Sequence, residues 1–178
     1  MKISFITSSL TIGIKCKLLK EVCPMIPAHD VAKYFVSLVD EEAGDSISNL
    51  KLQKLLYYSQ GGFLACYDKP LFPEAIKAWA HGPVVPQVYH EYKQFGAGPI
   101  PVEQVDLDRY PIEVRELLDE VNSVYGQFTA SKLRDMTHQE PPWRDTPQSE
   151  TISHEKMKEF FKTLVIHDDV PQGAANSR

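Results

Sequence analysis

The sequence predicts a mainly α-helical, compact single domain of about six helices with at most a short β element. Its 178 residues, 43% of them hydrophobic, suffice for one domain with a continuous core. Apolar residues recur at helical spacing along most of the chain. No internal repeat or interdomain linker is visible in the sequence.

The first predicted helix covers residues 30–43. Its apolar positions recur at helical spacing, Asp30 is suited to cap it, and Gly44 is suited to end it. Residues 1–24 precede this domain as an extension that does not resemble a cleavable signal peptide. We expect Met25 to be the physiological start of the chain.

The second predicted helix is expected to be central, because its apolar surface is unusually wide. Ser48 or Asn49 is suited to cap it, and it continues to about Tyr67. The pair Gly61-Gly62 lies inside it, and each glycine costs about 1 kcal/mol there relative to alanine. The pair therefore indicates a closely packed neighbouring backbone or aromatic ring, or a bend.

The middle of the chain contains the only expected β structure. Residues 75–80 are predicted to be a short strand or an extended passage. Helical spacing resumes over residues 84–95, where Pro86 fits the first turn. A loop and a short extended piece at residues 100–107 follow.

Three further helices are predicted in the last third of the chain. One opens at Pro111 and ends near Gly126, and the next is capped by Thr129 and broken by Pro141-Pro142. The last begins at Ser153 and reaches Val165. The domain is expected to span residues 25–167, followed by a flexible tail at 168–178.

Composition limits the classes of function. Three cysteines without a CxxC pair argue against a disulfide framework and a cysteine-rich zinc site, and favour a cytoplasmic protein. No apolar run is long enough to span a bilayer. The formal charge is −5, and since residues 1–24 carry +3, residues 25–178 carry −8. This balance argues against nucleic-acid binding through phosphate contacts.

No catalytic or metal-binding motif emerges. His138-Gln139-Glu140 matches the H-x-E of zinc deaminases, but the P-C-x-x-C that holds their metal is absent. GxSxG, Walker A and GxGxxG motifs are also absent. We therefore expect no enzyme activity, no cofactor and no metal.

Two turns collect aromatic and polar residues. One contains Trp79, His81 and Pro83, and the other contains His138, Glu140 and Trp143. Each residue has two interpretations: it fills the edge of the core, or it serves as a contact anchor for a protein partner. Lys51 and Lys54 are expected on the solvated face of the second helix, with a contact role as the alternative.

Three segments resemble the Panacea antitoxin domain family of SocA-like and phage-associated GepA-like proteins. They are NLKLQKLLYYSQG (49–61), AIKAWAHGPVVPQVYHEYKQFG (75–96) and YGQFTASKLRDMTHQEPPW (125–143). Two positions depart from the family pattern: Gly62 replaces a larger residue, and His81 replaces an often aromatic one. The resemblance covers about residues 28–166.

The resemblance implies a non-enzymatic, cytoplasmic antitoxin of a type II toxin–antitoxin system. Its partner would be a toxin protein from the adjacent gene, bound directly, and the acidic domain would suit a basic toxin. Alternatives are an adaptor that delivers the toxin to a cytosolic AAA+ protease, and an enzyme or nucleic-acid binder using the His81 and His138 turns. The candidate partner-binding residues are Lys51, Trp79, His81, Pro83, Tyr89, His138, Glu140 and Trp143.

Overall fold

Helix α2 (Asn49–Tyr67) is the centre of the fold, and its residues from Leu52 to Leu64 are all buried. The computed structural model describes residues 13–16 and 24–167, without the side chains of Cys16 and His167. The Ser48 hydroxyl caps the helix by accepting a hydrogen bond from the Lys51 backbone N–H. A helix buried on all faces explains the wide apolar surface of its sequence.

Six further helices surround α2 within the described residues. Helices α1, α3, α4, α5 and α7 all pack against α2, and α6 packs against α5 and α7. The mainly helical prediction is confirmed, with seven helices where about six were expected. Their bounds are α1 (Ala28–Ser37), α3 (Pro86–Tyr92), α4 (Ile112–Tyr125), α5 (Ala130–Gln139), α6 (Pro141–Arg144) and α7 (His154–Lys162).

The first helix differs from its prediction at both ends. Helix α1 begins at Ala28, so Asp30 lies in its first turn instead of capping it. The helix ends at Ser37, and Asp40 explains why it does not continue. The Asp40 carboxylate accepts hydrogen bonds from the backbone N–H groups of Glu42 and Ala43. Such local bonds favour a turn over a helix.

Two small sheets accompany the helices. Strands β2 (Lys77–Trp79) and β3 (Gly82–Val84) form an antiparallel hairpin where one extended passage was predicted. Strands β1 (Ile14–Cys16) and β4 (Val165–His167) pair in parallel. Strand β4 takes the place of the predicted last turn of the final helix, since α7 ends at Lys162.

The glycine pair in α2 allows two neighbouring side chains to pack closely against the helix. A Cβ on Gly61 would overlap the ring of the fully buried Phe161, which lies on α7. A Cβ on Gly62 would lie 2.8 Å from Cδ1 of Ile14. The predicted close approach of an aromatic ring is therefore confirmed at Gly61, and Ile14 occupies the space beside Gly62.

Part of the predicted N-terminal extension packs onto the domain. Ile14 is fully buried, and its backbone N–H donates to the Leu164 carbonyl over 3.1 Å. The rest of the extension, at 1–12 and 17–23, and the predicted tail at 168–178 lie outside the described residues. A translation start at Met25 stays a prediction.

The cysteine pattern argued against a disulfide framework, but Cys66 is disulfide-bonded. Within the part of the chain that the structure describes, no helix is long and apolar enough to cross a bilayer.

Candidate partner-binding site

The β2–β3 hairpin presents Trp79 and His81 at the surface through a tight turn. Gly82 follows the turn with a φ of +100°, a conformation that favours glycine. A Cβ on Gly82 would also lie 2.9 Å from both Lys54 Nζ and Thr137 Oγ1. Glycine is therefore required at this position both by its conformation and by its close neighbours.

A third passage of chain, residues 149–152, fixes the outer edge of β2. The backbone N–H of Ala78 donates to the Glu150 carbonyl over 2.9 Å, and the Ser149 N–H donates to the Ala78 carbonyl over 2.7 Å. The Ile152 N–H donates to the Ile76 carbonyl over 2.8 Å. Because β2 is bonded along both edges, the backbone that carries Trp79 is firmly positioned.

Buried polar side chains of α2 fix the inner edge of the hairpin. The Gln53 side chain accepts from the Val85 N–H over 2.9 Å and donates to the Asn49 side chain over 3.0 Å. The Asn49 amide donates in turn to the Tyr89 carbonyl over 3.0 Å. These bonds connect the start of α2 to the chain that leads from β3 into α3.

Lys54 was predicted on the solvated face of α2, and this prediction is wrong. Its side chain is fully buried, and Nζ donates to the Pro83 carbonyl over 3.0 Å. Burial and, to a smaller degree, the nearby charge of Arg134 lower the pKa of this ammonium to about 7. Lys54 therefore supports the hairpin from below instead of contacting solvent.

The residues of the second predicted turn lie directly against the hairpin, but His138 is in α5 and Trp143 is in α6, so the prediction of a turn is wrong for these two residues. The indole N–H of Trp143 donates to the Trp79 carbonyl over 2.9 Å. The rings of His138 and Trp143 are stacked, with centroids 3.9 Å apart and planes 7° from parallel. The hairpin and the α5–α6 segment, which are about 60 residues apart in sequence, thus form one surface. We call the exposed parts of Trp79, His81, Tyr89, His138 and Trp143 the hairpin surface.

Two open grooves flank Trp79. The larger, which we call the hairpin groove, has a volume of about 530 Å³. The rings of Trp79 and Tyr89 meet edge to face in its wall, 5.1 Å apart at an angle of 74°. The smaller groove, of about 320 Å³, lies between Trp79 and Trp143. Half-buried aromatic rings beside open grooves are suited to accept side chains of a protein partner.

Not every predicted site residue lies on the hairpin surface. Pro83 is buried, and its carbonyl accepts the Lys54 bond. Lys51 is half-buried and lines a separate groove of about 490 Å³. Ala97 borders both this groove and the hairpin groove. The partner-binding role of all eight residues stays a prediction.

Glu140 faces inward, between α5 and α6. It is half-buried, and its Oε1 accepts a 2.8 Å hydrogen bond from the Tyr58 hydroxyl. Burial raises the pKa of the carboxyl to about 7, and hydrogen bonding opposes this effect. Its Oε2 and the hydroxyls of Tyr57 and Tyr125 are buried without a hydrogen-bond partner. Glu140 is therefore an internal polar group whose charge affects stability.

Neither His81 nor His138 belongs to a cluster of metal-binding side chains within the described residues. Within residues 13–16 and 24–167, no three His, Cys, Asp or Glu side chains are grouped so that they could hold a metal ion. Burial, together with the charges of Arg134 and Lys54, lowers the pKa of His138. His138 is therefore mainly a neutral ring stacked on Trp143 at neutral pH.

Buried polar side chains of α2 that hold neighbouring segments of the chain in place were not identified from the sequence. Asn49, Gln53 and Gln60 are buried on α2 as Lys54 is, and Gln60 bonds the backbone at Leu71 and Phe72. These residues could have been recognised because they are polar positions within the apolar sequence of a helix that was predicted to be central. Buried polar groups are almost always hydrogen-bonded, which could have suggested this role.

Comparisons with known proteins find a related family and one related antitoxin. Residues 52–144, just over half of the chain, match the family described as "Antitoxin SocA-like, Panacea domain". Antitoxin SocA of Caulobacter vibrioides (strain NA1000 / CB15N) is 32% identical over 109 residues, which cover 54% of this chain and 58% of that protein. The match thus spans less than two thirds of that relative. No solved structure matches.

Proposed function

The chain belongs to the family of SocA-like antitoxins with a Panacea domain, and from this premise we propose that it neutralises a cognate toxin by direct protein–protein binding. It acts as the antitoxin of a type II toxin–antitoxin system, without catalysis. The toxin is the product of the adjacent gene. The family match includes seven of the eight candidate residues, and Lys51 lies one position before its start.

The observation that carries this proposal is the joining of the two aromatic turns. The hydrogen bond from the Trp143 indole to the Trp79 carbonyl holds both tryptophans on one surface. The His138 ring is stacked on the face of the Trp143 ring. Tryptophan is enriched among the residues that dominate binding energy at protein interfaces. Rings that are already fixed lose little conformational entropy when a partner binds.

The backbone of this surface is rigid for reasons that can be traced to single residues. Lys54 and Gln53 bond the chain at Pro83 and Val85, and residues 149–152 bond β2. Preorganisation of this kind favours tight binding of one partner geometry. It explains why the buried polar residues of α2 are as important to the site as the exposed rings.

The test is co-expression of the full chain with the adjacent open reading frame, with growth rescue and co-purification measured together. The proposal predicts rescue together with a stable complex. Trp79→Ala is expected to reduce both, whereas Ile112→Ala, which removes an exposed apolar side chain from α4, is expected to leave both unchanged. A harmless neighbouring gene product would contradict the antitoxin role.

The same experiment separates direct binding from delivery to a protease. Rescue without a complex, accompanied by loss of the toxin, would indicate the adaptor mechanism instead. The tail at 168–178, which was the sequence candidate for a protease contact, lies outside the described residues. Direct binding is favoured by the fixed aromatic rings that lie beside the open grooves.

A further inference from the structure

The hairpin groove has an apolar wall made by residues from three separate parts of the chain. Leu50 comes from α2, Trp79 and Val84 come from the hairpin, and Tyr89 comes from α3. Its volume of about 530 Å³ lies in the range of sites that accept compact ligands or several side chains. An apolar wall of this size favours a partner segment with a large apolar side chain.

The charge of the groove differs from that of the chain as a whole. The chain has 24 acidic and 19 basic residues, yet no Asp or Glu lines the groove. The Lys93 ammonium provides the charge among the side chains that line it, and Lys93 is exposed at the rim together with His81. The local potential at the rim therefore favours an anion, against the acidic average of the protein.

The remaining polar groups of the wall are mostly engaged. Asn49 and Gln53 bond each other and the backbone at Tyr89 and Val85, so they cannot select the charge of a ligand. Lys54 lies behind the hairpin and has no acidic partner in the described residues. A basic side chain entering the groove would face the Lys93 ammonium, with no carboxylate in the lining to compensate it.

We infer that the hairpin groove binds an extended segment of the toxin in which a large apolar side chain is next to an Asp or Glu. The apolar side chain packs against Trp79 and Tyr89, and the carboxylate pairs with Lys93 at the rim. The long aliphatic stem of Lys93 lets its ammonium meet a carboxylate at the groove edge. This inference rests on the proposed function, because it names the part of the toxin that the site recognises.

A random peptide library tests this chemistry without knowledge of the toxin. Twelve-residue peptides displayed on phage are selected on the immobilised full chain, and the most enriched sequences are synthesised with a fluorescent label. We expect Asp or Glu beside Leu, Ile, Phe or Trp in the enriched peptides. Fluorescence-anisotropy titrations should show that added salt lowers their affinity, because the ion pair between the peptide carboxylate and Lys93 is exposed.

Lys93→Glu provides the decisive variant. It should weaken binding of the selected peptides about tenfold or more, because an attraction at the rim becomes a repulsion. Lys69→Glu is the matched control, since Lys69 is also exposed but follows the far end of α2, about 28 Å from the groove end of that helix. This control should leave the affinity unchanged, and thermal melts should show both variants folded.

Several outcomes would overturn the inference. Enrichment of basic peptides, of apolar peptides without a carboxylate, or of no peptides at all would do so. Equal binding to Lys93→Glu and to the unchanged protein would also refute it. These outcomes are distinct from failure of the proposed function, which is judged from growth rescue and co-purification with the toxin. If the chain rescues growth but selects no acidic peptide, the proposed function stands and the inference about the groove is refuted.

Discussion

Replacing Glu140 by glutamine is expected to remove one defined part of the pH dependence of stability. Burial raises the pKa of this carboxyl from 4.5 to about 7, so the folded state retains a proton that the unfolded state has released. Between pH 4.5 and 7 the folded state therefore binds more protons, and stability falls as pH rises. The stabilising contribution is fully present below pH 4.5.

The size of the effect follows from the change in pKa. One pKa unit corresponds to about 1.4 kcal/mol, so Glu140 lowers the free energy of unfolding by about 3 kcal/mol between pH 4.5 and 8. Glutamine remains neutral, and its amide can donate toward the partnerless hydroxyls of Tyr57 or Tyr125. Glu140→Gln should therefore match the unchanged protein near pH 4.5 and exceed its stability at pH 8.

Urea unfolding at a series of pH values between 4 and 8 measures this difference directly. Glu150→Gln serves as the matched control, because it makes the same substitution at an exposed position. Lys54 affects stability over a different pH range. Its pKa is lowered from 10.5 to about 7 in the folded state, so the free energy of unfolding decreases as pH falls from 10.5 towards 7. Parallel pH profiles for Glu140→Gln and the unchanged protein would refute the reasoning.

Three other variants test the packing and the site. Gly61→Ala should lower the free energy of unfolding by about 1–3 kcal/mol, because the new methyl group overlaps the buried ring of Phe161; a more stable variant in urea unfolding would contradict this. Ile14→Ala should cost about 2–5 kcal/mol, and the exposed Met25→Ala almost nothing, in the same assay. Trp143→Phe should cost about 1 kcal/mol through loss of the indole bond to the hairpin; an unchanged melting temperature would indicate that this bond does not stabilise the site.

The sequence predicted the elements that have strong local signals. The caps at Ser48 and Thr129 are confirmed, and Ser153 caps the helix that was predicted to begin there, because each hydroxyl accepts a hydrogen bond from a backbone N–H in the first turn of its helix. The glycine pair in α2 correctly indicated a close neighbour, but nothing in a glycine names that neighbour. Phe161 lies 100 positions further along the chain, so this contact depends on tertiary structure.

Strand β2 lies within the predicted short strand or extended passage at residues 75–80, whereas β1, β3, β4 and the buried lysine were not predicted from local patterns. Strands of three residues, such as β1 and β4, are too short to show a period of two. Lysine is almost never fully buried, so the composition of α2 favoured a solvated Lys54. Its burial follows from the Pro83 carbonyl, which the hairpin brings over α2. The two groups of aromatic residues were identified separately in the sequence. Their contact, through the Trp143 bond to Trp79, depends on tertiary structure.

The most direct test of the central claim is a titration of the purified toxin with the purified full chain. We expect a stable complex, which Trp79→Ala weakens by roughly 2 kcal/mol, or about thirtyfold in affinity. The exposed His81→Ala should also weaken it, while Ile112→Ala should not, and melting temperatures should establish that each variant is folded. Binding that is identical in all four proteins, or no binding of a toxin that the chain neutralises in cells, would contradict direct recognition by the hairpin surface.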